Sequence, residues 1–140
     1  MKETVGRSIG MLSNLIRRHF STFSFHDTLS PAQGKTLHFI LARSMDTDVF
    51  QKDVEEEYSL RPPTATKILK DMEKNGLIRR ETVPYDARLK RIVVTEKGLQ
   101  YQGMIRESLE ETERRLTAGI MEDDLATFFR VISRMIRNMS

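Results

Sequence analysis

The sequence predicts a mainly α (α+β) chain: a winged helix-turn-helix whose N- and C-terminal helices form a dimerisation region. Three observations carry that expectation. Two short helical patterns, VFQKDVEEEY and TATKILKDMEKNG, follow one another across the connector Ser59-Leu60-Arg61-Pro62-Pro63. Two strand-like runs, LIRRETV and LKRIVVTEKG, come next, separated by Pro84-Tyr85-Asp86-Ala87-Arg88. Long amphipathic patterns stand at both ends of the chain. A short helix with a free polar face can enter the DNA major groove. A hairpin tipped with arginine can reach a phosphate or the minor groove beside it.

Each element has a local reason. Val5, Ile9, Leu12, Ile16, Phe20 and Phe23 recur at intervals of four and three, which predicts an amphipathic helix of about five turns. Residues 24–29 read as a loop. Ser30-Pro31 is a helix start, with Ser as N-cap and Pro at the first helical position. The helix that follows carries Leu37, Phe39, Ile40 and Leu41 and runs to about Arg43. Residues 44–47 form a polar loop, and Thr47 is the expected N-cap of the next helix, which carries Val49, Phe50, Val54 and Tyr58. The second helix of the pair places Ala65, Ile68, Leu69 and Met72 on one stripe and ends at Gly76. Thr95 closes the hairpin and caps a long helix with Leu99, Met104, Ile105, Leu109 and Leu116 on its apolar side. Ala118-Gly119 marks a break. The last helix starts near Glu122-Asp123-Asp124, acids suited to the positive end of a helix dipole. Its stripe is Leu125, Phe128, Phe129, Ile132, Met135, Ile136 and Met139.

The expected division is a DNA-binding domain over residues 30–97 and a dimerisation region over 1–29 and 98–140. The central module can bury a core of its own. The end helices then need a partner for their apolar faces, and a second copy supplies one.

Charge supports the same division. The net charge of +3 says little, but its distribution is uneven. Residues 61–91 hold nine Lys/Arg against four Asp/Glu, a balance of +5. Residues 44–60 hold one Lys against six Asp/Glu, a balance of −5. Positive charge therefore collects on the second helix and the hairpin, where a duplex would sit. With no cysteine, disulfides, thiolate zinc sites and thiol redox sensing are excluded. No apolar run approaches the ~20 residues of a membrane-spanning helix. Arg7, Ser8, Ser13, Asn14 and Arg17 interrupt any signal-peptide core, so a cytoplasmic protein is expected, with no membrane partner.

The segments LSPAQGKTLHFI, FQKDVEEEYSLRPPTATKILKDMEKNGLIRR and YDARLKRIVVTEKG together resemble the MarR family of bacterial transcription regulators. The family's wing hallmark, an Asp followed two residues later by an Arg, stands here as Asp86-Ala87-Arg88. Its recognition-helix pattern stands as Thr64-Ala65-Thr66 and as Glu73-Lys74-Asn75-Gly76-Leu77-Ile78. The resemblance covers nearly the whole chain. It implies a homodimer that binds a palindromic operator in double-stranded DNA, a repressor released by a small aromatic or lipophilic effector. One departure is Pro62-Pro63, where a longer polar side chain often stands. Those prolines are comfortable at a helix start but remove base-reading groups.

Within that frame, Thr64, Thr66 and Lys67 are expected to reach base edges, with Pro63 beside them. Lys70 and Lys74 lie farther along and suit phosphates, which position without specifying sequence. Arg61 and Arg79 are further phosphate candidates. Arg88 at the wing tip suits the narrow minor groove. Asp86 would hold Arg88 by charge-assisted hydrogen bonds while also forming the turn. Of Lys90 and Arg91, which alternate along a strand, Lys90 is placed on the DNA side with Arg88. An effector pocket is sought at Phe20, Phe23, Phe39 and Met104, residues that also serve as plain core.

His19, His26 and His38 have no i, i+4 pair of the kind a helical metal site uses, so no metal or cofactor is expected. No nucleophile–base arrangement, phosphate loop or carboxylate pair signals an enzyme, and Glu55-Glu56-Glu57 fans around a helix. The alternative function is a winged-helix protein-interaction module without specific DNA binding.

Overall fold

The computed structural model describes residues 2–23, 25 and 28–140. They form two compact units, Met1–Ser108 and Leu109–Ser140. The winged helix-turn-helix expected from the sequence lies in the first.

Helix α1, Val5–Phe20, is capped by Thr4, whose hydroxyl accepts from the Arg7 N–H at 3.3 Å. It stops at Phe20, one turn before the predicted end at Phe23. The hydroxyls of Ser21 and Thr22 donate to the carbonyls of Arg18 and His19, each at 2.7 Å, and so satisfy groups that a longer helix would have used. Freed from the helix, Phe23 stacks on Phe25, and both meet Phe20 edge-on.

Helix α2, Pro31–Ser44, starts where Ser30-Pro31 predicts. The Ser30 hydroxyl accepts from the Gln33 N–H at 3.2 Å, and the Gln33 side chain accepts from the Ser30 N–H at 3.3 Å. This reciprocal pair is a capping box.

Helix α3, Gln51–Tyr58, differs from expectation at its start. Thr47 is not its N-cap, and Val49 and Phe50 lie outside it. Phe50 is the N-cap residue, and its N–H donates to the Asp53 carboxylate at 2.9 Å. The reason is tertiary: the Val49 carbonyl accepts from the Ile92 N–H at 2.7 Å, which draws Val49 into extended pairing with the hairpin. Ser59 then adopts a left-handed conformation, φ 51°, and turns the chain toward the second helix.

Helix α4, Pro62–Lys74, buries Ala65, Leu69 and Met72, with Ile68 half-buried. Gly76 ends it at φ +76°. The Gly76 N–H donates to the Glu73 carbonyl and the Leu77 N–H to the Met72 carbonyl, both at 3.0 Å, the pattern of a Schellman cap.

Strands β1, Ile78–Val83, and β2, Asp86–Val94, pair antiparallel, and the chain turns at Pro84-Tyr85. Pairing runs from Ile78↔Val94 to Thr82↔Lys90, then jumps to Val83↔Asp86. Ala87, Arg88 and Leu89 are thereby left bulged out at the wing tip. A short helix α5, Glu96–Leu99, follows under a Thr95 cap, and a turn at Gln100-Tyr101 divides it from α6, Gln102–Thr117, so the single long helix expected after Thr95 is broken. The core of this unit joins Phe20, Leu37, Ile40, Val54, Leu69 and Ile92 with Ile105 of α6.

The second unit comprises the end of α6 and helix α7, Glu122–Met139. Gly119 breaks the chain between them at φ +78°. Helix α7 buries none of its residues, and Phe128, Phe129, Val131, Ile136 and Met139 are exposed. On α1, Val5, Ile9, Met11, Leu12 and Leu15 are exposed too. Among the described residues, no helix is long and apolar enough to cross a membrane.

Candidate nucleic-acid interface

The first turns of α4 present Arg61, Pro63, Thr64, Lys67 and Lys70 to solvent, whereas Thr66 is half-buried. Helix starts commonly bind anions through free backbone N–H groups. This one has few to offer. Pro62 and Pro63 carry none, and the N–H groups of Thr64 and Ala65 both donate to the Arg61 carbonyl, at 3.1 and 3.2 Å. Side chains must therefore supply the donors on this face.

Those side chains are unequal. The Thr66 hydroxyl accepts from Gln51 Nε2 at 2.9 Å, and Gln51 also donates to Glu55 at 3.1 Å. Thr66 thus ties α3 to α4, and one of its lone pairs is spent on that tie. Lys67 reaches Asp71 at 3.4 Å, an i, i+4 pair on a side chain 80% exposed. Such a pair is worth about 0.3–0.5 kcal/mol, so Lys67 remains available to a stronger anion. Lys70 and Thr64 are exposed.

The wing tip is more ordered. Asp86 accepts from Arg88 three times: from its N–H at 2.9 Å and from Nε and Nη2 at 3.2 Å each. The guanidinium hydrogen bonds, and then the backbone bond, hold the Asp86 carboxyl below the ordinary carboxylate range. The Arg88 side chain is 90% exposed, so it stands in solvent on a fixed base.

The base of the wing is an ion network. Arg91 lies 3.7 Å from Asp48 and 3.7 Å from Glu81, and Arg79 lies 3.8 Å from Glu81. Lys90 is exposed. Arg91 thus braces the hairpin against the segment before α3, alongside the Val49–Ile92 hydrogen bond. Counting alternate residues along a regular strand places Lys90 with Arg88. The bulge between the two residues interrupts that count, so alternation does not relate their faces.

Sequence reasoning missed the tie of Gln51 to Thr66 and the bracing of Arg91 against Asp48 and Glu81, and it assigned Arg80 no place. Gln51 and Arg91 carry no motif; their partners, Thr66 and Asp48, are distant in sequence. Arg80 is half-buried, and its Nε and Nη2 are buried without a hydrogen-bond partner among the described residues.

The four residues expected to line an effector pocket fall into different settings. Phe20 is buried and meets Phe23, which is half-buried. Phe39 stands edge-on to Tyr58, with ring centroids 6.0 Å apart, and carries the Arg43 guanidinium 5.9 Å from its own centroid. Met104 is exposed. Of the histidines, His19 packs edge-on against Phe23 and His38 is half-buried, while His26 lies outside the described residues. No group of three or more His, Cys, Asp or Glu side chains suited to a metal gathers among the described residues.

A family model described as "MarR family" matches residues 27–89, the stretch that contains the helix pair and the wing tip. Over the longer span, the structure is similar to the transcription regulator MarR from Oenococcus oeni PSU-1. The two are 25% identical, the match covers 96% of this chain and 99% of that one, and the TM-score is 0.83. The helix pair and wing of this chain thus carry the pattern of the MarR family. Two further MarR-family folds are similar to it. One is an S. aureus MepR–DNA complex, at 21% identity, with 98% and 99% of the two chains covered and a TM-score of 0.88. The other is a mutant MarR from E. coli complexed with operator DNA, at 19% identity, with 94% and 92% covered and a TM-score of 0.79. These MarR-family relatives are transcription regulators rather than enzymes.

Proposed function

We propose that this chain is a sequence-specific DNA-binding transcription regulator that works in the cytoplasm as a homodimer on a palindromic operator. One observation carries the reading. The start of α4 presents Arg61, Thr64, Lys67 and Lys70 to solvent, and the wing carries an exposed arginine held by three hydrogen bonds to Asp86. Thr64 and Lys67 meet base edges, while Arg61 and Lys70 meet phosphates, with Pro63 against the groove wall. Thr66 acts chiefly by holding α4 against α3. Arg88 enters the minor groove from its Asp86 base, and Arg79 and Lys90 meet the flanking backbone. The DNA-binding domain spans residues 30–97. The dimer region spans 1–29 and 98–140.

The exposed apolar residues of α1 and α7 support the dimer. A soluble monomer seldom exposes so many large apolar side chains along single helices. Two copies also place two recognition helices about one turn of DNA apart. The regulator acts as a repressor, and a small aromatic or lipophilic effector near Phe20, Phe23, Phe39 and Met104 releases it by favouring a mis-spaced dimer.

The test is fluorescence anisotropy of the purified protein on its own upstream DNA and on a scrambled duplex, at two salt concentrations. Tight, salt-sensitive binding that prefers the upstream fragment is expected. Equal weak binding to both duplexes would leave only a basic surface, and no binding at low salt would point to a protein-interaction module.

A further inference from the structure

Three successive carbonyls at the end of α4 are taken by donors from one distant segment. Lys97 Nζ donates to the Asn75 carbonyl at 2.7 Å. The Thr95 hydroxyl donates to the Gly76 carbonyl at 2.5 Å. The Thr95 N–H donates to the Leu77 carbonyl at 3.0 Å. The same Thr95 oxygen accepts from the Gly98 N–H at 3.1 Å and so caps α5. Carbonyls at a helix end are usually left to water or to local turns. Here Thr95 and Lys97, at the start of α5, take the carbonyls of Asn75, Gly76 and Leu77.

The fit is close as well as polar. A Cβ at Gly98 would stand 2.4 Å from the Leu77 carbonyl oxygen and 2.7 Å from Val94 Cγ1. The Lys97 stem crosses Gly76, with its Cδ 3.7 Å from where a Cβ would stand. Beyond α5 the hydrogen bonds continue. Tyr101 N–H donates to the Gly98 carbonyl at 3.1 Å, and Ile105 N–H donates to the Tyr101 carbonyl at 2.9 Å. A bonded path therefore runs from the end of α4 through α5 into the first turn of α6.

We propose that Thr95 and Lys97 form a clamp that makes the recognition helix move with α5 and the start of α6. Lys97 is a positioning residue: its ammonium sits at the negative end of α4, where a cation is favoured, and touches no DNA. A shift of α6 then re-aims the DNA-reading face without bending α4. The role in DNA reading rests on the proposed function, whereas the clamp itself is a property of the free protein.

The test has two arms on the full chain. The variants are Lys97→Met, which keeps the stem but loses the donor, and Lys97→Arg, which keeps charge and donors. In DNA-free protein, amide exchange at Leu77 and Thr95 is expected to speed up about tenfold in Lys97→Met and to return toward wild type in Lys97→Arg. On DNA, Lys97→Met should lose roughly three- to tenfold of its preference for upstream over scrambled duplex, with the salt slope unchanged. Unchanged exchange in Lys97→Met would overturn the clamp. A salt slope lowered by about one would instead make Lys97 a phosphate contact and overturn its positioning role. If the wild type itself does not discriminate between duplexes, the DNA reading fails, and the exchange arm still decides the clamp.

Discussion

Asp86 places a negative charge on the surface proposed to meet phosphates, yet its removal should weaken DNA binding. The perturbation is Asp86→Ala. Its carboxylate holds Arg88 through three hydrogen bonds, at 2.9, 3.2 and 3.2 Å. Without them, a side chain that is 90% exposed samples many rotamers. Ordering a long side chain only at the moment of binding costs roughly two- to twelvefold in affinity. Charge alone argues the other way. Deleting one of four acids from residues 61–91, beside nine bases, raises the local balance from +5 to +6 and should tighten binding. The two accounts therefore differ in sign.

Anisotropy on upstream and scrambled duplexes separates them. Asp86→Ala should bind the upstream duplex roughly two- to twelvefold more weakly, with little change in salt slope. Arg88→Ala should cost more, about 5–150-fold, because it removes the contact itself. The double variant should bind no worse than Arg88→Ala, since Asp86 then has nothing to position. Equal or tighter binding by Asp86→Ala would refute the positioning argument. Because Arg88 lowers the Asp86 pKa, the ionised carboxylate is favoured in the folded state. Its stabilising contribution is present above the ordinary carboxylate range and is lost as pH falls through the lowered value. The effect of Asp86→Ala should therefore be the same throughout neutral pH.

Two further outcomes follow from the packing. Gly98→Ala would force a Cβ to 2.4 Å from the Leu77 carbonyl oxygen, so urea denaturation should show a loss of about 1–3 kcal/mol or more; a loss under about 0.5 kcal/mol would mean that the backbones do not approach so closely. Tyr58 donates to the Lys35 carbonyl at 2.8 Å, and burial first, then Glu57, pushes its pKa up to about 12. The folded state thus holds this proton more tightly than the unfolded one. Stability relative to Tyr58→Phe should be level below the ordinary value of about 10 and fall as pH rises through about 12. Parallel stability curves for the two proteins across that range would contradict the burial of this hydroxyl.

Local chemistry is legible in the chain itself. Ser30-Pro31 announced the start of α2, Gly76 the end of α4, and Asp86-Ala87-Arg88 the wing tip, because caps and turns depend on neighbours a few residues apart. Thr47 misled for the complementary reason. It is a good cap by type, but the Ile92 N–H, from a strand more than forty residues on, claimed the Val49 carbonyl and delayed the helix. Phe23 kept the helical period of α1, yet Ser21 and Thr22 closed that helix first.

The same division applies to the interface. The charge balance and residue types showed where a basic surface would lie, since both are properties of composition along the chain. They could not show that Thr66 is held by Gln51, that Arg91 is spent on Asp48 and Glu81, or that a bulge separates Arg88 from Lys90. Whether a polar side chain is free or engaged depends on groups brought near by folding, and hydrogen bonds act only over about 3 Å. Sequence alone therefore determined the elements and the sign of the surface, while the tertiary structure decided which of its side chains are held in place and which remain free to read.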